Sequence, residues 1–261
     1  MKQPNFYWPV YRNLEKELLQ LADNIHFADD QVKVYSMHIA DLIVWCSIEI
    51  EAIAKELYQI LGGDSSPVDY DGNKRDLYFD TDCLALLESK WHLSKKQLTV
   101  SSSTFYFTNG ANKVITPLYK ADKRGTSGSK WKQAHQAVKH NRTASLKMGN
   151  IEDLLHAMGA LFILNLYYKE EVFFIGRVYM SSNEFDIRAG SDIFSVFTYK
   201  ATSLAMAPIM EDCCICKQID NDLEKSIYII SMTKNLFAKC MRVIAKTKRL
   251  HVAILLTRLK S

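Results

Sequence analysis

VYSMHIADLIVWCSIEIEAIAKELY, Val34 to Tyr58, is the stretch that decides the fold. From about Asp30 to Ile60 the residues Val32, Tyr35, Ile39, Leu42, Cys46, Ile50, Ile53, Leu57 and Ile60 recur every three or four positions. That spacing lays apolar side chains along one face of an α-helix. Asp29 or Asp30 is placed to cap its start, and Gly62-Gly63 to end it. A helix this long needs other helices to bury its face. A second one is expected over Tyr11 to Asp23, joined to the first as an antiparallel hairpin across His26–Asp29.

Working outward, Gly62 to Asp76 (GGDSSPVDYDGNKRD) is rich in turn residues and reads as a loop, and Thr81 to Trp91 as a shorter helix. The period then changes. In Leu98–Pro117 the runs TFYF and KVITP flank Asn109-Gly110, a strong hairpin signal, which predicts a small antiparallel pair. Lys120–Lys130 (KADKRGTSGSK) is polar and reads as a surface loop. Trp131 to Lys139 fits a short helix, and Asn150 with Asp153 can start another that runs to about Tyr168. Its apolar face is Leu154, Leu155, Met158, Leu161, Phe162 and Leu166. Val172–Met180, Ile193–Tyr199 and Ser226–Met232 have strand composition. The C-terminus, with Leu236, Phe237, Cys240, Ile244 and His251–Leu259, reads as helix, the last part open to a strand.

The expectation is a single domain over 1–261, α+β and predominantly helical: an antiparallel helical bundle core with a small antiparallel sheet. The helical core covers 10–62, 80–92 and 131–168, with a β-rich insertion at 97–118 and an α+β part at 172–261. At 48% hydrophobic and 24% charged, with ten Gly and five Pro in 261 residues, the chain has the composition of a globular protein and not a disordered one.

The N-terminus lacks the apolar core of an export signal. The most apolar run, Met158 to Tyr168, is shorter than the ~20 residues that cross a bilayer, so no membrane partner is expected. Cysteines at 46, 83, 213, 214, 216 and 240 lack the dense spacing of a secreted disulfide framework, which favours a reducing cytoplasm.

Net charge is only +4, but it is segregated. Between Lys113 and Arg142 eight basic residues face one acid, Asp122, giving +7. From Lys234 to Ser261 eight more face none, giving +8 and leaving −11 for the remainder. Two cationic segments on an acidic background suggest a polyanion face, because clustered Lys and Arg attract phosphates and release counterions. Lys120, Lys123, Arg124, Lys130, Lys132, Lys139, Lys246, Lys248 and Arg249 are its candidate nucleic-acid contacts. The alternative is two solvated faces that never meet.

Candidate chemistry is sparse. Cys213-Cys214-Ile215-Cys216 could supply half a zinc site, but no second pair stands at zinc-finger spacing. No metal is therefore expected. Phosphate-binding, dinucleotide, hydrolase-elbow, zinc-protease and calcium-loop motifs are missing, so no nucleotide cofactor is expected either. What remains is Lys139-His140-Asn141-Arg142, near His135. A proton-shuttling His140 and a phosphate-holding Arg142 would suffice for metal-independent RNA cleavage, provided the helix ends near His140. The bland alternative is that both cap the C-terminus of the Trp131 helix.

The stretch quoted above, together with WKQAHQAVKHNR and the GNIEDLLHAMGALFIL helix, resembles a group of uncharacterised bacterial and mobile-element proteins, and distantly the HEPN superfamily of helical domains. The resemblance covers about residues 30–60 and 131–168. It implies a metal-independent ribonuclease of toxin–antitoxin or phage-abortive systems, acting as a dimer. The superfamily's motif places Arg before His; here the order is His140, Asn141, Arg142. The expected function is thus an RNA-directed protein of a bacterial defence or prophage system, a ribonuclease with His140 and Arg142 as catalytic groups. The alternative is a non-enzymatic module that forms a homodimer through its long helix and binds nucleic acid or an acidic protein.

Overall fold

The computed structural model describes residues 5–100, 102–125, 128–168 and 190–195. Helix α1 is Tyr7–Asn24 and α2 is Met37–Ile60. A π-helical turn, Phe79–Leu84, runs straight into α3, Ala85–Trp91. Strand β1 is Leu98–Val100; the single turn α4, Gly110–Lys113, passes directly into β2, Val114–Ile115. Then come α5, Lys130–His140, the short α6, Arg142–Ser145, and α7, Ile151–Tyr168. The last described element is β3, Phe194–Ser195. The sheet order is β2-β1-β3, antiparallel throughout, with Leu98 opposite Ile115 and Val100 opposite Phe194. This is the predominantly helical α+β architecture expected.

α7 is the centre. From Ile151 to Tyr167 every residue is buried except Glu152 and His156, because α2, α5 and α1 all pack against it. A helix apolar on all sides belongs inside. It starts where the sequence places it: the Asn150 side chain accepts from Asp153 N at 3.1 Å, and its amide donates to Asp153 Oδ2 at 2.8 Å. It crosses the sheet at Gly159, where a Cβ would lie 2.8 Å from Pro117 and 2.9 Å from Leu98. Trp131, buried, donates its indole N–H to the Pro117 carbonyl at 2.7 Å and so ties α5 to the same place.

The C-terminal side of the described chain is held by a buried carboxylate. Glu15 on α1 is 1% exposed. It accepts from the Tyr11 hydroxyl at 2.9 Å, the Ser191 hydroxyl at 2.5 Å and the Asp192 N–H at 2.9 Å, and it pairs with Arg12. Arg12 in turn donates to the Gly190 carbonyl and to Asp192, 2.8 and 2.9 Å away. A buried charge requires this number of partners. The set positions residues 190–195 so that β3 completes the sheet.

Several boundaries differ from expectation. α2 starts at Ser36, whose side chain accepts from Ile39 N at 3.1 Å, and not at Asp29 or Asp30. Val32 and Tyr35 therefore precede the helix, Tyr35 44% exposed. Asp29 is used elsewhere: it accepts from Thr108 N and Oγ1, Asn109 N and the Asn112 amide. Those bonds hold its carboxyl well below the usual carboxylate range.

The connection between α1 and α2 is consequently longer than His26–Asp29, and residues within it bridge to Tyr106 and Asn150. An antiparallel pair does form in this stretch and KVITP supplies one arm, β2, but its partner is β1 and not TFYF, whose Tyr106 bridges to Ala28 instead, and Asn109-Gly110 is not a hairpin turn. Asn109 has φ −70° and caps α4, its side chain accepting from Ala111 N. A two-residue hairpin of that type needs positive φ. Gly62, at φ +80°, does end α2 as predicted. Of the later strands expected, 172–180 and 226–232 lie outside the described residues, and 193–199 is described only through residue 195. Cys213, Cys214, Cys216, Cys240 and the whole cationic segment 234–261 also lie outside them.

Candidate nucleic-acid interface

α5 carries the site. It ends at His140, as a joint role for His140 and Arg142 requires, because Asn141 serves two elements at once. Its N–H closes α5 on the Ala137 carbonyl, while its side chain accepts from Ala144 N at 3.2 Å and opens α6. The chain turns there and leaves Lys139, His140 and Arg142 around one corner. Lys139 and His140 are exposed. The His140 Nε2 lies 3.2 Å from the Gln136 amide oxygen one turn back. Arg142 reaches across to α2 and pairs with Asp41. Among the described residues neither side chain bonds a carbonyl of α5.

His135, one turn before Lys139, is half-buried, and its imidazole is pushed below the ordinary value first by burial and then by the charge of Lys139. It is neutral at pH 7.

Three of the remaining cations of the segment, Lys130, Lys132 and Arg124, are spent on acids contributed by other elements. Lys130 and Lys33 both pair with Glu152 at the start of α7. Burial works to raise that carboxyl, and the two lysines outweigh it. Lys132 is buried: its ammonium donates to Asp80 Oδ2 at 2.8 Å and to the Lys123 carbonyl at 2.6 Å, pinning α5 to the π-helical turn and the 120s loop. Asp80, which burial alone would raise, is brought below its ordinary value by that bond.

Arg124 shares Asp80, at 3.6 Å, and places its guanidinium 3.9 Å from the centre of the Tyr78 ring. Arg75 lies over the same ring at 4.5 Å and holds Asp82 through two bonds of 2.6 and 2.8 Å. Lys123 pairs with Asp122 at 3.2 Å, and Lys120 sits over the exposed Tyr119 ring at 5.3 Å.

The cations therefore sort into two surface groups. One is the corner of Lys139, His140 and Arg142. The other is Lys120, Lys123 and Arg124, joined by Arg75, Tyr78 and Tyr119, which the sequence reading did not single out. Buried Lys132, between them, is structural. Two of the acids that partner these groups, Asp41 for Arg142 and Asp80 for Arg124, come from tens of residues away in sequence, and no local pattern announces them. Lys246, Lys248 and Arg249 lie outside the described residues.

Among the described residues no group of three or more His, Cys, Asp or Glu could hold a metal ion, and no helix is long and apolar enough to cross a membrane. No protein-family model, no curated protein and no solved structure matches the chain.

Proposed function

We propose that this is an RNA-binding protein of a bacterial defence or prophage system, acting in the cytoplasm, that engages single-stranded RNA along the α5 edge. The observation that supports the reading is the α5–α6 corner, where Lys139, His140 and Arg142 stand together at the surface within four residues of chain. The second cationic group adds what single strands need, rings and guanidinium planes on which bases stack beside charges that meet phosphate: Tyr78 and Tyr119 with Arg124 and Lys120. The ion pairs of Lys123 and Arg142 are surface pairs and weak, so phosphate can displace their carboxylates.

The chemistry this corner could perform is metal-independent cleavage, with His140 moving the 2′-hydroxyl proton and Arg142 holding the phosphate. The engagement of Arg142 by Asp41 favours a second reading, binding without cleavage.

One experiment separates them. RNA binding is measured by fluorescence anisotropy over a salt series, and cleavage in the presence of EDTA, for the wild type and for His140→Ala. Binding should weaken with salt at a logarithmic slope near −2, about three phosphate contacts at ~0.7 each. Loss of cleavage in His140→Ala with an unchanged melting temperature establishes the enzyme. Salt-sensitive binding with no cleavage by either protein establishes the binder. A chain that binds no RNA even at low salt ends the proposal.

A further inference from the structure

α2 has a second face. Met37, Trp45 and Ile48 are 51%, 43% and 57% exposed, and half-buried Val44 and Ala52 lie between them. At 100° per residue these five positions fall within an arc of about 100°. Apolar side chains gathered on one exposed helix face mark a contact surface. Asp41 lies in the same arc but is held by Arg142, so the face ends at the α5–α6 corner. Glu49 and Glu56 border the arc on the Trp45 side. Among the described residues neither pairs with a cation: Glu56 accepts the Tyr7 and Tyr168 hydroxyls at 2.6 and 2.8 Å, and burial pushes the Glu49 carboxyl up. A partner suited to this face is apolar in the middle and cationic at that edge.

The chain itself contains such a partner. Leu236, Phe237, Cys240, Val243 and Ile244 are spaced i, i+1, i+4, i+7 and i+8, which on a helix gathers them within about 120°. On the same wheel Lys239 and Lys246 border one side of that stripe and Lys248 the other, so a lysine meets the glutamate edge whichever way the helix lies. From Lys234 to Arg249 there are six basic residues and no acid. An amphipathic helix of this pattern lays its apolar stripe on an apolar surface through anchors one and two turns apart.

We infer that residues 234–249 dock in cis on the second face of α2, the apolar stripe on Met37, Trp45 and Ile48 and the lysines against Glu49 and Glu56. Between β3 and this segment stand 38 residues, 196 to 233. At about 3.3 Å per extended residue they can reach any point of the surface. The tether makes the binding intramolecular, so contacts too weak to hold a free peptide suffice. Docked there, the second cationic segment adjoins the Lys139, His140 and Arg142 corner. The inference does not depend on RNA binding, and its test uses no RNA.

Oxidative crosslinking of the full-length chain reads the contact. Cys240 lies in the middle of the stripe, and Met37→Cys, Ile48→Cys and Ala52→Cys sample the length of the face. At least one of the three should form a disulfide with Cys240 within a single chain, identified by peptide mass spectrometry. Tyr70→Cys, at a fully exposed loop position, should not. Hydrogen exchange gives a second readout. Ile48→Glu should lower the protection of amides 236–244 at least about tenfold, because a carboxylate beneath an apolar stripe has no partner; Glu49→Lys should lower it less. The inference is overturned if none of the three cysteines links to Cys240, if Tyr70→Cys links as readily, or if the Cys240 disulfides join two chains. Amides 236–244 that are unprotected in the wild type, or whose protection is indifferent to Ile48→Glu, overturn it equally.

Discussion

α2 and α7 are the two long apolar helices, packed chiefly on each other, and they differ in what lies behind them. α7 has protein on every side and shows solvent little beyond Glu152 and His156. α2 has protein on one side, and on the other Met37, Trp45 and Ile48 meet water beside Asp41 and its ion pair with Arg142. Apolar content alone does not say which helix is core. What separates them is whether charged residues are restricted to one end, as Glu152 and Asp153 are in α7, or spaced along a face, as Asp41, Glu51 and Lys55 are in α2.

The sharpest way to break the comparison is to cut into α7. Phe162 is fully buried between Tyr11 and Phe194, with ring centroids 5.4 and 5.6 Å away. Phe162→Ala should cost about 3–5 kcal/mol in denaturant unfolding. Next comes the buried carboxylate of α1. Glu15→Ala removes the shared acceptor of the Tyr11 and Ser191 hydroxyls and of the Asp192 N–H, and should cost roughly 3 kcal/mol, since each buried donor that loses its acceptor costs ~1–3 kcal/mol.

A smaller effect concerns pH at the start of α7. Burial raises Asp153 to about 6, so the folded chain holds that proton more tightly than the unfolded one. Its stabilising contribution is full in acid and is lost as pH rises through 6. Burial lowers His156 to about 4, so its contribution is full above the ordinary histidine value and is lost as pH falls towards 4. The two trends oppose each other in one window. Asp153→Asn should therefore make stability fall more steeply from pH 6.5 to 4 than in the wild type, by roughly 2 kcal/mol. His156→Gln should tilt the profile the other way. Smallest is the α2 edge: Arg142→Ala should cost less than about 1 kcal/mol, and the loss should shrink as salt is added.

The helices were legible because their signals are local. The Asn150/Asp153 capping pair, the apolar spacing of α2 and Gly62 each carry their physics within a few residues. The failures share one cause. Asp29 and Asn109 both carry correct local signals, a helix cap and a hairpin turn, yet in the fold they satisfy each other's neighbourhood 80 residues apart. Asn109 does cap a helix, α4, which the Asn-Gly signal masked.

The candidate site was half legible for the same reason. A cation is visible in a sequence and its counterion is not, so Lys132 read as surface charge until Asp80 and the Lys123 carbonyl surrounded it. Arg75 and Tyr78 carry no signal of their own in the sequence, because they sit in a turn-rich stretch and at its edge, where nothing is periodic.

The bonds from Glu15 to residues 191–193 span 176 to 178 positions of chain. A ribosome elongating at roughly 5–20 residues per second reaches the far partners some 10–35 seconds after releasing the near one. Through that interval the first helix exists without the hydroxyl and amides its carboxylate needs, and the middle strand lacks one of its two neighbours. The nascent chain thus cannot settle from its N-terminus onward: its beginning is finished only when residue 195 arrives.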